Sequence, residues 1–126
     1  MAQPNIVNVD NGHIYGETEQ YTPTTTESSA TANAASSGKV YRINSIRVAN
    51  VNGVGGTNAN ITAKHRDAVS GTPSAIHLAD EIEIPIGSAL EIVSSSFYLK
   101  EDQDIRLLAS ADNALEVLIS YENISD

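Results

Sequence analysis

The pattern that most constrains this chain lies near its C-terminal end. Leu115, Val117, Ile119 and Tyr121 alternate with Glu116, Leu118 and Ser120. A two-residue period places one apolar row on a single face of an extended strand. Ile82, Ile84 and Ile86 repeat it against Glu81, Glu83 and Pro85. Strong helix formers gather nowhere over a helix-length window. Ile, Val and Thr supply 31 of the 126 residues, and these β-branched side chains suit a pleated surface. The chain is therefore committed to sheet.

Turn clusters cut the sheet-forming runs into short pieces. Ile6-Val7-Asn8-Val9 ends at Asp10-Asn11-Gly12, and a strand resumes through Ile14. Lys39 to Val51 is the strongest strand region. Tyr41 and Ile43 share one parity, Ile46 and Val48 the other, so a bulge or a bend between sheets is expected at Asn44-Ser45. A Gly/Asn connection over residues 52–58 leads to Asn60–Arg66, with Ile61 and Ala63 inward and Thr62, Lys64 and Arg66 outward. Short strands follow at Ile76–Leu78, Ile82–Ile86, Leu90–Ile92 and Phe97–Leu99. Residues 105–110 and 114–121 suggest a hairpin across Ala111-Asp112-Asn113. About eight short strands without a helix point to an all-β fold, an antiparallel β-sandwich or jelly roll. The length suits one domain over residues 1–126.

Residues 16–39 break the pattern. They contain no Ile, Val, Leu, Met or Phe, and Tyr21 is their one large side chain. Ala30, Ala32 and Ala34 share a parity, so residues 1–38 read either as an extended N-terminal arm or as an edge-strand segment of small residues. Fifteen of the 51 apolar residues are Ala and there is no Trp, which leaves the core thin and favours association with other subunits.

Seven bases stand against sixteen acids, a net charge of −9, and all seven bases lie between Lys39 and Arg106. Such a chain repels a phosphate backbone, which argues against nucleic-acid binding. No run approaches the ~18 apolar residues of a membrane helix. Met1–Asn5 lacks the charged and apolar regions of a secretory leader. The absence of cysteine removes thiol catalysis and zinc–thiolate sites.

The residues that could carry chemistry do not assemble into a site. His13, His65 and His77 have no metal-pair spacing, and His65, Arg66 and Asp67 are strand neighbours pointing to alternate faces. Glu101, Asp102 and Asp104 lack the glycine and distal Glu of a calcium loop and read as a charged, solvated turn. Asp80, Glu81 and Glu83 form a solvated strand face within reach of Lys64 or Arg66. Gly53, Gly55 and Gly56 precede no GK[ST] and no helix, and no serine sits on a strand–turn–helix elbow. The expectation is a chain that is not an enzyme and uses no cofactor and no metal.

Lys39-Val40-Tyr41-Arg42-Ile43-Asn44-Ser45-Ile46-Arg47-Val48-Ala49-Asn50-Val51-Asn52-Gly53 resembles the opening strands of small structural proteins of tailed bacteriophages. The stretch from Phe97-Tyr98-Leu99-Lys100-Glu101-Asp102, through Ala109–Val117, to Ser120-Tyr121-Glu122 is similar to their closing strands. Met1–Val9 resembles the start of such proteins from phages of marine cyanobacteria. Residues 16–38 have no counterpart in the resemblance, and Gln103 stands where such proteins often carry a glycine.

The resemblance implies a β-sandwich virion protein assembled in the host cytoplasm. The first expectation is a capsid decoration protein that binds the major capsid protein lattice as a homo-oligomer, a trimer. The alternatives are another virion component at the neck, tail or fibre, and a carbohydrate-binding jelly roll using Tyr21 and Tyr98. Ile6, Val7 and Val9 are the expected partner contacts, as a docking strand for a neighbour's sheet edge. They serve equally as an ordinary first strand.

Overall fold

The computed structural model of the chain describes residues 13–53, 55–68 and 74–125. They form nine strands and no helix: β1 (Ile14–Tyr21), β2 (Ser28–Asn33), β3 (Lys39–Asn50), β4 (Ala59–Arg66), β5 (Ala75–Ile84), β6 (Ala89–Val93), β7 (Phe97–Leu99), β8 (Gln103–Ala109) and β9 (Leu115–Ser125). The first sheet runs β1-β9-β3-β6, with β7 also on β3; the second runs β2-β8-β4-β5. All pairings are antiparallel. Two such sheets packed face to face make an all-β sandwich of jelly-roll order.

The interior is built from the apolar rows. Ile43, Ile46, Val48, Leu115, Val117 and Ile119 come from the first sheet; Ile61, Ala63, Ile84, Ile105, Leu107 and Ala109 come from the second. The change of parity in β3 is a bulge. Ile43 faces Tyr121 and Ser45 faces Ser120, which leaves Asn44 as the extra residue. That insertion turns both Ile43 and Ile46 inward, three positions apart.

Several local expectations are corrected. Residues 105–110 and 114–121 do not pair as a hairpin. β8 lies between β2 and β4, while β9 lies between β1 and β3 in the opposite sheet. Each strand carries one buried apolar row, and the two rows face each other across the interior, so residues 110–113 step between sheets. β2 is an edge strand, but its fully buried side chains are Thr31 and Asn33; Ala30 packs partly against the core, while Ala32 and Ala34 are exposed. A register shift between Ser29 and Ala32 resets the parity. The Ile82–Ile86 row is not a core face either. Ile84 is buried, but Ile82 and Ile86 are each more than a third exposed. Glu81 takes a φ of 50°, and the ladder to β4 shifts register between Ile61 and Ala63. Thr62, expected outward, is buried, and its hydroxyl accepts the Glu81 N–H at 3.1 Å.

Candidate functional site

Edge strands and exposed faces are where a β-sandwich meets other molecules. Three of the strand edges are interrupted. β5 carries register shifts and the exposed acids Asp80, Glu81 and Glu83. β2 is broken by its own shift. The far edge of β3 is covered by two short pieces, β7 over Tyr41–Ile43 and β6 over Ile46–Ala49. β1 differs. It pairs with β9 over all eight residues, Ile14↔Ile124 to Tyr21↔Val117, without a shift.

Ser125 donates its N–H to the His13 carbonyl at 2.8 Å, which places the odd-numbered residues in hydrogen-bonded pairs with β9. The N–H and C=O groups of Ile14, Gly16, Thr18 and Gln20 therefore point to the opposite edge. Among the described residues no strand takes that edge.

An apolar row crosses the outer face of the first sheet beside this edge. Ile14, Ile124 and Val40 are in register across β1, β9 and β3. Ile14 is 46% exposed and Val40 36%. Tyr98, 53% exposed, continues the patch from β7, where it and Val40 line a shallow depression with Lys39, Lys100 and Glu101. Arg42 and Glu122 form an ion pair at 3.7 Å on the same face. Leu118 is 39% exposed farther along, opposite Arg47.

Inside β1 the alternate row is polar. Glu19 accepts hydrogen bonds from the Tyr21 and Tyr121 hydroxyls, and the Tyr21 hydroxyl also lies 3.2 Å from Thr31 Oγ1. Burial, reinforced by the Glu19 bond, pushes the Tyr21 hydroxyl up to about 12. The same two causes raise Tyr121 further. Tyr41 packs on Tyr121 with ring centroids 4.9 Å apart. Tyr21 is thus locked into the sandwich, whereas Tyr98 is exposed.

The outer face of the second sheet is a charge ladder. Asp104 is fully buried, and Arg66 reaches it with Nε and a terminal nitrogen, both at 2.8 Å. Ser29 Oγ donates to the same carboxylate at 2.5 Å. This corrects the reading of Asp104 as part of a solvated turn. One row away, Glu27 sits 2.8 Å from Lys64 and 3.6 Å from Arg106. The Lys64 hydrogen bond, with the charges of Lys64 and Arg106, holds the Glu27 carboxyl below its ordinary range. The acids paired with Lys64 and Arg66 thus come from Glu27 and Asp104, not from Asp80 or Glu83.

The histidines stay apart. His65 packs edge-on against Phe97 with centroids 5.8 Å apart, and its Nε2 lies 3.3 Å from the Tyr98 carbonyl. His77 lies 3.8 Å from Asp80. Among the described residues no three His, Asp or Glu groups converge on a metal position. Ile6, Val7 and Val9 lie outside the described residues. No single stretch of sequence signals the outer-face row, because Ile14, Val40, Tyr98 and Ile124 come from four separate runs.

No protein-family model matches the chain, and no curated protein does. Its fold is similar to that of a chain from the Bacillus endospore appendages, described as disulfide-linked pili. The TM-score is 0.51, the identity 17%, and the match covers 90% of both chains. A match to the structure of infectious bursal disease virus, Gt strain, covers 89% of this chain but 31% of that one, at 11% identity and a TM-score of 0.40. At these identities the first likeness extends to the fold. Disulfide linkage cannot extend to a chain without cysteine.

Proposed function

We propose that this chain is a non-enzymatic structural subunit of a phage virion, a capsid decoration protein that binds the lattice of the major capsid protein. The observation that carries the reading is the outer face of the first sheet, where an exposed apolar row lies beside an unbroken strand edge. Such a surface is an interface waiting for a partner. The likeness of residues 39–126 to small phage structural proteins supports the virion as its setting.

The mechanism is a clamp. A trimer of subunits binds across junctions of assembled capsid protein and not its separate parts, so occupancy stabilises the shell by mass action. Ile6, Val7 and Val9, which precede β1 in the chain, belong to this contact region. The second reading, a neck, tail or fibre component, draws on the fold likeness to an appendage chain. A carbohydrate-binding role has weaker support, since of its two tyrosines only Tyr98 is open.

Quantitative mass spectrometry of purified particles against the major capsid protein tests the proposal. The expected ratio is the capsid subunit number or a simple fraction of it. A ratio of about a dozen copies per particle transfers the protein to a low-symmetry tail or neck position. Absence from particles overturns both readings.

A further inference from the structure

The two flanks of the sandwich are finished differently. Between β1 and β2 the Tyr21, Tyr121 and Thr31 hydroxyls gather on Glu19. Between β5 and β6, on the other flank, the inward side chains are apolar and exposed. Ile82 lies opposite Ile61 and Leu90 opposite Val48, both partners fully buried. Residues directly opposite in an antiparallel pair point to the same face, so Ile82 and Leu90 are aimed between the sheets. Ile76 joins them, because it lies opposite His65, which shares the parity of Ile61 and Ala63. Yet Ile76 is 71% exposed, Leu90 42% and Ile82 37%. Leu78, Ile92 and Phe97 line a depression on the same flank. One end of this slot is closed, where Asn50 exchanges backbone hydrogen bonds with Gly87 at 3.2 Å and Ser88 at 2.9 Å.

Shape and charge narrow the choice of occupant. Packed sheets stand about 10 Å apart, so the apolar side chains of one extended segment fit between them. From Ile76 to Ile82 the slot runs about 20 Å, the length of about six extended residues. Both rims are acidic. Asp80, Glu81 and Glu83 are exposed along β5, and Glu91 along β6. The cations beside them are His77, 3.8 Å from Asp80, and Arg47, opposite Glu91. Lys64 and Arg66 on β4 are engaged by Glu27 and Asp104. A second copy bringing the same flank sets carboxylate against carboxylate, so these acids reject self-pairing. They favour a partner of the opposite sign.

We infer that this flank is a docking slot for an extended segment of a protein partner, apolar at alternate residues and basic between them. A period of two places the partner's apolar row on Ile76, Ile82 and Leu90, and turns its lysines or arginines toward the rims. The apolar row supplies affinity, and the carboxylates select the partner. The slot is a different surface from the outer face of the first sheet and does not rest on the virion reading.

The probe is a blocked eight-residue peptide of alternating valine and lysine, titrated into the full chain labelled at its isoleucine and leucine methyls. The methyl signals of Ile76, Ile82 and Leu90 are expected to shift, and those of Ile14 and Leu118 on the outer face to stay. Two control peptides are each expected to bind at least tenfold more weakly. One replaces lysine with glutamate; the other keeps the composition and breaks the alternation. Ile82→Ser/Leu90→Ser is expected to weaken the first peptide at least tenfold. Glu83→Gln/Glu91→Gln leaves the apolar row in place and is expected to weaken it at least fivefold.

Shifts confined to the outer face, equal binding of the three peptides, or no saturable binding overturn the inference. Sedimentation velocity of the chain alone supplies the last arm. Concentration-dependent association that Ile82→Ser/Leu90→Ser abolishes assigns the flank to a second copy and also overturns it. Absence of the protein from particles would remove the capsid reading and leave all of these measurements as they stand.

Discussion

Asn33 and Asn50 close opposite ends of the sandwich with the same device. Asn33, in β2, donates its side-chain amide to the carbonyls of Lys39 at 2.8 Å and Leu99 at 3.1 Å. Asn50, in β3, donates to Ile84 at 2.9 Å and Thr57 at 3.3 Å. Each spans from its own sheet to the other, one at the first residue of β3 and one at the last. Their amide oxygens are also satisfied, by the Ser37 hydroxyl and the Asn52 N–H.

Removing either amide takes a donor from a buried carbonyl, Leu99 for Asn33 and Ile84 for Asn50. Asn33→Ala and Asn50→Ala are each expected to cost about 2 kcal/mol. The two sites are separated by the length of β3 and share no partner, so the double variant is expected to be additive within about 0.5 kcal/mol. Urea denaturation of the four proteins checks both statements.

Among the described residues, the Arg66–Asp104 pair is the one ion pair with a fully buried partner. Arg66→Met leaves the carboxylate uncompensated apart from Ser29, and a loss of about 3 kcal/mol is expected. Arg66→Met/Asp104→Leu removes both charges and is expected to return to within about 1 kcal/mol of the parent. A double-mutant cycle by denaturation measures the coupling, and a double variant as weak as the single would refute it.

Stability is expected to fall at both ends of the pH scale, through different groups. Glu27 is held below its ordinary value of 4.5, so its contribution is complete above that pH and disappears as pH falls through the lowered value. Glu27→Gln is expected to cost about 0.5–1 kcal/mol at pH 7 and almost nothing at the acid end. Tyr21 is raised from 10.0 to about 12, so its contribution is whole below pH 10 and is lost as pH rises through 12. Tyr21→Phe is expected to weaken that alkaline loss. Thermal melts across pH read both limbs.

Tyr98→Ala on the outer face tests the contact. Thermal stability is expected to change by less than about 0.5 kcal/mol, as for an exposed site. Binding to capsid particles is expected to fall about thirtyfold, the effect of losing an interface anchor worth about 2 kcal/mol. Co-sedimentation with particles lacking the protein gives the ratio.

The sandwich was legible in the sequence where one strand face is wholly apolar. Leu115–Tyr121 is the clearest case, and the parity change in Lys39–Val51 located the β3 bulge. Pairing partners were less legible, because two amphipathic strands joined by a short turn look alike whether they sit side by side or face each other across a core. That is why β8 and β9 resembled a hairpin. Asp104 was hidden among acids, and only the fold brings Arg66 and Ser29 to it. In β2 the fully buried side chains, Thr31 and Asn33, are polar, so hydrophobic periodicity could not report its face.

The position of β9 between β1 and β3 also sets an order of events during synthesis. Ribosomes deliver about 5–20 residues per second, so β1 and β3 emerge seconds before the strand that joins them. Until β9 arrives, the first sheet has no centre, and both its early strands must wait unpaired on that side. A nascent chain of this topology cannot mature piece by piece, and its folding is a late, concerted step with the aggregation risk that long-range pairing brings.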